Sequence, residues 1–416
     1  MKDLKYREKL EIILCFICIV IIPIYKHAVV ISLISWLIVS ILNIISDFFL
    51  KIDFPLNIKT NKSIFILPFL YILYVLGMCY TKNIEYGLFD LEIKISLLLI
   101  PLILVLRSNI YINFPKTFLY SLSLGCIISF IINIIHAYIL FLEDKSTNHF
   151  FYSDLSNSIH PSYLSLYVGV AIISLLTIKN TAFLSKLNFN LLKVIIILTL
   201  ITYLFMLSSK AGIISFTLAI FAFSIIKLRK KIKTFYAISI SFFIILLISL
   251  TIYQVPSIER RFKELKMPFE KSANISIDNE YGSIARLAII ISTIDIAKQN
   301  LPWGVGTGDT KDEITKYYIS KGSTTIKTKF LNAHNQFTQT TIALGIPGLL
   351  LLILLFTNGF ISAIKKKNIL FISVLILLFI QFLFESMLEG QSGVIFISLF
   401  LSLLIIWNNN TSISTS

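Results

Sequence analysis

The chain has 416 residues, of which 56% are hydrophobic and only 14% charged, and its mean hydropathy is +0.85. A soluble domain of this size needs far more polar surface, so a membrane protein is expected. The formal charge of +15 would suggest nucleic acid in a soluble chain, but short membrane loops carry Lys and Arg for orientation alone, so membrane lipid and no nucleic acid is the expected environment. The four cysteines, Cys15, Cys18, Cys79 and Cys126, all lie in apolar stretches. Cys15 and Cys18 form a C-x-x-C within one hydrophobic helix, with no His or second Cys pair nearby, which argues against a metal or redox role. The first apolar run, Leu10 to Tyr25, lacks a small-x-small cleavage site, so no cleavable leader is expected.

Runs of about 20 mostly apolar residues read as spans. In chain order they fall near 10–26, 28–46, 64–80, 91–106, 117–142, 161–178, 191–207, 211–227, 233–253, 346–364, 368–385 and 391–407. The expected fold is therefore an all-α polytopic membrane protein with about twelve transmembrane helices. Residues 1–253 form a first group of nine helices, 254–345 a long and largely helical outer loop, and 346–416 the last three helices with a cytoplasmic tail.

Twelve spans put both termini on one side. If that side is the cytoplasm, the short inner loops and helix ends hold 20 basic residues and the outer ones five: Lys26, Lys82, Lys94, Lys145 and Lys210. The other 12 lie in 254–345, and loops that long are excluded from the positive-inside rule. The asymmetry places the termini inside and the two unusual polar segments, 143–160 and 254–345, outside. No Asp, Glu or Lys falls deep within a span, which argues against a proton-driven carrier. Glu385 and Glu389 flank an outer turn.

The long outer loop carries most of the polar patterning. Periodicity predicts a helix over 283–300, with Arg286, Thr293 and Asn300 on one face and Ile284, Leu287, Ile291 and Ile294 over much of the rest. An interfacial helix whose Arg touches lipid headgroups fits that pattern as well as a binding site does. Next comes Leu301-Pro302-Trp303-Gly304-Val305-Gly306-Thr307-Gly308, whose alternate glycines permit tight turns and close approach of a ligand to the backbone. A helix stop is the commoner explanation of such a run. Then Asn332-Ala333-His334-Asn335-Gln336-Phe337-Thr338-Gln339 opens a polar helix start that abuts Gly345-Ile346-Pro347-Gly348, with His334, Thr338 and Thr341 on one face. Histidine titrates near neutral pH and suits a general base, although a hydrogen-bonded interfacial histidine is the more common case. Lys210, in Leu207-Ser208-Ser209-Lys210-Ala211-Gly212, sits at a short outer junction where it either snorkels or meets a ligand. Lys94 lies near the outer end of the fourth span, and His160-Pro161-Ser162-Tyr163 heads the sixth. There is no P-loop and no cluster of acids of the kind that holds Mg²⁺ or Mn²⁺.

Taken in order, Ser208-Ser209-Lys210-Ala211-Gly212, Arg286, the glycine turn from Pro302 to Gly308, His334-Asn335-Gln336-Phe337-Thr338-Gln339 and Gly345-Ile346-Pro347-Gly348 resemble the O-antigen ligase / Wzy-type O-antigen polymerase superfamily of membrane glycosyltransferases. The resemblance implies a fold like that of C-type glycosyltransferases. It also implies transfer of a glycan from an undecaprenyl-diphosphate-linked donor to an acceptor sugar at the outer, periplasmic face of a bacterial inner membrane. The acceptor is lipid A-core for a ligase, the favoured reading, or a second lipid-linked glycan for a polymerase. On the same resemblance His334 activates the acceptor, and Arg286 and Lys210 hold the donor diphosphate; Lys210 stands where the family more often has Arg. Lys94, His160, Tyr163, Asn335 and Gln339 are candidate substrate-binding residues. No cofactor and no metal is expected. A lipid-linked glycan flippase or transporter is the alternative of a different class; it predicts charges lining a central cavity and internal repeats, and the charges here concentrate in one outer loop.

Overall fold

A computed structural model describes residues 5–50, 62–178, 186–229, 236, 282–320 and 332–408, and among them every regular element is helical. In chain order these are α1 (Tyr6–Ile21), α2 (Lys26–Phe49), α3 (Ile66–Gly77), α4 (Ile84–Lys94), α5 (Ser96–Leu106), α6 (Ser108–Tyr111), α7 (Pro115–Asp144), α8 (Tyr152–Leu155), α9 (Pro161–Thr177), α10 (Lys186–Met206), α11 (Lys210–Leu228), α12 (Gly282–Gln299), α13 (Thr310–Ser320), α14 (Gln336–Lys365), α15 (Ile369–Phe384) and α16 (Gln391–Asn408). Of these, α2, α7, α11, α14 and α16 are long and apolar enough to cross a membrane. Shorter apolar helices cover Lys62–Gly77, Pro161–Thr177, Asn190–Met206 and Ile369–Phe384.

Most of the expected spans coincide with helices, with three differences. The run 91–106 is two helices, α4 and α5, parted at Ile95. The run 346–364 is the second part of the 30-residue α14, which begins at Gln336 and is broken at Gly345. The run 233–253 lies outside the described residues.

Burial explains why α16 stands at the centre: every residue from Gly393 to Asn408 is buried. Helices α9, α11 and α15 pack together, and α14 packs against α3, α12 and α15. Outer helices instead expose aliphatic rows, such as Ile31, Ile38 and Ile45 on α2 and Ile131, Ile135 and Ile139 on α7. Apolar surface of that extent is at home only in lipid.

One end of this bundle is closed by ions. Arg107, at the end of α5, donates to Glu11 Oε2 of α1 at 2.9 Å and pairs with Asp47 of α2, which Arg7 also holds. Tyr111 Oη adds a hydrogen bond to Glu11 Oε1 at 2.9 Å, and Asn43 Nδ2 one to Oε2 at 2.8 Å. These carboxylates sit near helix ends and are buried by protein. Removing one partner of a buried ion pair strands the others, at a cost of about 3–5 kcal/mol. Arg107→Met is therefore expected to lower the melting temperature of the detergent-solubilised protein sharply, and adding Glu11→Gln to recover part of the loss; an unchanged melting temperature for the single variant would contradict the staple.

Candidate functional site

The opposite end of the bundle gathers the polar helix starts. Helix α11 begins where the sequence changes from apolar to Ser208-Ser209-Lys210. Ser208 has φ of +46°, and Ser209 is the N-cap, its Oγ accepting from Gly212 N at 3.1 Å. Lys210 is thus the first residue of the helix, at the positive end of its dipole. Gly212 is needed for packing: a Cβ there would fall 2.1 Å from Ser165 Oγ on α9.

Helix α14 starts in the same way. Asn335 is its N-cap, accepting from Thr338 N at 3.1 Å while its Nδ2 donates to Leu383 O, at the end of α15, at 3.1 Å. Gln339 Oε1 accepts from Ala333 N at 2.8 Å, and Asn332 Oδ1 from His334 N at 3.0 Å. These bonds fix His334 at φ of +46°, a left-handed conformation that few non-glycine residues adopt, histidine more readily than most, and that clusters at functional sites. Thr338 and Thr341, expected on the face of His334, spend their hydroxyls on carbonyls of the same helix start, those of Asn335 and Phe337.

The His334 side chain, 22% exposed, places Nδ1 3.2 Å from Oε2 of Glu385, which follows α15. The other carboxylate oxygen accepts from Ser162 Oγ at 3.1 Å, and Ser162 Oγ in turn lies 3.4 Å from Ser209 Oγ. Ser162 N donates to His160 Nδ1 at 3.3 Å, and the exposed His160 ring stands edge-on between Tyr152 and Tyr163. A carboxylate beside Nδ1 favours the tautomer with the proton there, leaving Nε2 with its lone pair. The arrangement is a histidine oriented by an acid, the geometry of a general base.

The glycine turn has a different task from the one its composition suggests. Helix α14 breaks at Gly345 (φ +62°, ψ −149°), and Pro347 has no N–H to offer the preceding turn. Val305 N and Gly306 N donate to the freed carbonyls of Ile342 and Ala343 at 2.8 and 3.0 Å, and Ile346 N returns a bond to Pro302 O at 2.8 Å. Further along, Gly308 N donates to Thr81 Oγ1 at 3.1 Å, and Asp309 accepts from Lys82 N and Asn83 N at 2.8 and 2.7 Å. Close backbone approach is real here, but it is protein against protein.

Arg286 falls in α12, a helix that packs on α14; its side chain lies outside the described residues. Ile289, Thr293 and Ile296 form the buried stripe of α12, while Ile291 and Ile294 face outward. Asn300 Nδ2 bonds Ile296 O of its own helix at 2.8 Å. Lys94 is wholly buried in an ion cluster with Asp90 and Glu389. Nearby, Lys311 on α13 lies over the Tyr86 ring at 4.6 Å; burial lowers its pKa, while Glu389 and Asp90 pull it back up.

The sequence motifs thus bring His160, Tyr163, Ser209, Lys210, His334, Asn335 and Gln339 to one end of the bundle. Reading the sequence missed Glu385 and Ser162 as parts of that cluster. The one signal for Glu385 was its place at an outer turn on the same side as His334.

Residues 195–353 match the Wzy_C family model, described as O-Antigen ligase. That interval contains Lys210, Arg286, the glycine turn, His334 and the break at Gly345, and stops short of Glu385. No curated protein matches the chain.

The pairing of the glycine turn with the helix break has a direct test. An alanine at Gly345 would take a backbone conformation confined in practice to glycine, worth about 1–3 kcal/mol. Its Cβ would also lie 1.9 Å from Pro302 O. Gly345→Ala is expected to depress the melting temperature of the detergent-solubilised protein; a variant that melts like the parent would sink this account.

Proposed function

Because residues 195–353 match the O-Antigen ligase family model, we propose that the protein belongs to the O-antigen ligase / Wzy superfamily and transfers a glycan from an undecaprenyl-diphosphate carrier to the lipid A-core acceptor. It works as a twelve-span protein of the bacterial inner membrane with its site facing the periplasm. The observation that carries the reading is the His334–Glu385 pair at 3.2 Å beside the Ser209-capped helix start that presents Lys210.

The chemistry follows from what the reaction demands. An acceptor hydroxyl oxygen attacks the anomeric carbon of the donor sugar, the bond from that carbon to the diphosphate oxygen breaks, and the diphosphate leaves with the electron pair. His334 Nε2 takes the hydroxyl proton, and Glu385 holds the resulting imidazolium through Nδ1–H. Lys210 and Arg286 supply the positive charge that stabilises the leaving diphosphate. Lys210 does so at a helix N-terminus, where backbone N–H groups favour the same anion. The activated donor supplies the driving force, so no nucleotide is needed. His160 and Tyr163, which flank Ser162, offer ring surface for a sugar at the mouth of the cluster. Asn335 and Gln339 act on the substrate only through the loop they hold.

Kinetics with a lipid-diphosphate glycan donor separate these roles. His334→Ala should lower the transfer rate by about 10²–10⁴ with donor affinity nearly intact. Arg286→Ala should weaken donor binding and slow transfer together, and Arg286→Lys should rescue only in part, because a planar bidentate grip is lost. Lys210→Arg should be tolerated, and transfer should persist in the presence of a chelator. A His334→Ala enzyme at the parent's rate makes the histidine structural and ends the general-base reading. In a deletion strain the ligase reading expects uncapped core with lipid-linked polymer accumulating, whereas core carrying a single repeat would point to a polymerase.

Orientation is checked separately. Cys79 is exposed and is replaced first. Ser153→Cys and Lys366→Cys then put thiols at exposed positions near opposite ends of the bundle. In intact spheroplasts a membrane-impermeant reagent should label position 153 and spare position 366; the reverse pattern would turn the protein over.

A further inference from the structure

The turn from Glu385 to Gly390 carries more than the carboxylate that meets His334. Met387 and Leu388 are fully buried, and Leu388 N donates to Gln336 Oε1, in the first turn of α14, at 2.6 Å. Gln336 Nε2 donates to Thr340 Oγ1 at 3.0 Å, and Tyr74 Oη lies 3.4 Å from the same hydroxyl. One residue on, Glu389 Oε1 meets Lys94 Nζ at 3.1 Å. Lys94 also pairs with Asp90 one turn earlier on α4, and its ammonium stands 4.7 Å from the Tyr74 ring centre. The turn is thus gripped at Leu388 by an amide and at Glu389 by a charge, three and four residues from the Glu385 carboxylate.

Two properties of this cluster need explaining. The Lys94 side chain has no exposed surface, so no phosphate reaches it without displacing a carboxylate. A buried ion pair is also a poor source of stability, since apolar replacements are often as good; such pairs are better explained where they fix one arrangement among several. Two acids, Asp90 and Glu389, meet the Lys94 ammonium, with Lys311 of α13 close enough to feel both. Asp90 is held on the same helix as Lys94, so Glu389 is the carboxylate that ties the ammonium to the segment whose position matters most.

We propose that Lys94 and Glu389 are a positioning pair: their ion bridge anchors the Glu385–Gly390 turn and through it sets the direction of the His334 imidazole. The inference rests on the general-base reading of His334 and assigns Lys94 away from the substrate. It follows that loss of the bridge misplaces the base while leaving the donor site alone. Misplacement by an ångström costs up to about 10²-fold in rate.

The test uses the full-length enzyme in detergent, with kcat, donor KM and melting temperature measured for each variant. Glu389→Ala leaves Lys94 matched with Asp90, so it is expected to fold. Its kcat should fall by about tenfold or more with donor KM unchanged. Glu389→Gln, whose amide oxygen still accepts from Lys94, should recover most of the rate. Lys94→Met should show the same fall in kcat without a rise in donor KM. The proposal is overturned if Glu389→Ala keeps the parent's kcat, or if Lys94→Met raises donor KM while Glu389→Ala does nothing, the signature of a phosphate-binding lysine. His334→Ala in the same assay keeps the two readings apart: an active His334→Ala enzyme removes the general base, whereas an inactive one beside a fully active Glu389→Ala removes only the positioning pair.

Discussion

A carboxylate enclosed at the end of an apolar bundle must find donors on every side, and Glu385 finds them on two neighbouring helices. His334 reaches it from the start of α14 and Ser162 from the start of α9. Ser209, the cap of α11, touches Ser162 in turn. Three helix starts and one helix end are thereby brought to one point. The cluster's worth lies less in stability than in register, because each helix delivers one functional side chain only if its terminus stands at the right height.

The break in α14 answers a related need. A helix that must both start with a histidine at the bundle's polar end and continue as a span cannot do so in a straight line past Pro347. The turn from Pro302 to Gly308 supplies the hydrogen bonds that the break removes, which is the condition for any irregular backbone beside an apolar interior. It also ties α14 to the connection between α3 and α4 through Thr81, Lys82 and Asn83. A Cβ on Gly345, Gly306 or Gly308 would fall within van der Waals distance of Pro302 O, Thr81 Oγ1 or Asn83 O respectively, so only glycine fits there. A motif that reads as a ligand loop is in this protein a splint.

Charge is distributed in the same spirit. At one end Glu11, Asp47, Arg7 and Arg107 close α1, α2 and α5 on one another. At the other, Asp90, Lys94 and Glu389 join α4 to the turn beside the site. In each case buried ions are paired across helices, as the cost of a lone charge in an apolar surrounding demands. Between the two lies the largely apolar body of α16, α9 and α15, crossed by a few hydrogen bonds such as Tyr167 Oη to Ser392 O and Gln381 Nε2 to Ser215 Oγ.

What the sequence determined by itself is local. Runs of apolar residues of span length specified an all-helical membrane chain, since hydropathy acts residue by residue. The helix starts at Ser209-Lys210 and Asn335-Gln336 were legible because an N-cap satisfies donors within three residues of itself. Periodicity likewise located α12, though the face that carries Thr293 is the buried one, with Ile289 and Ile296, while Ile291 and Ile294 face outward. Tertiary structure decided everything that joins distant residues. His334 and Glu385 are 51 positions apart, and Ser162 and Glu385 are 223 apart. No local pattern distinguishes the acid that will orient a histidine from one that caps a turn, nor a lysine that will be sealed inside, as Lys94 is, from one that snorkels to the surface. Those outcomes depend on how helices stack, and stacking is set by the fit of many side chains at once rather than by the spacing of a few.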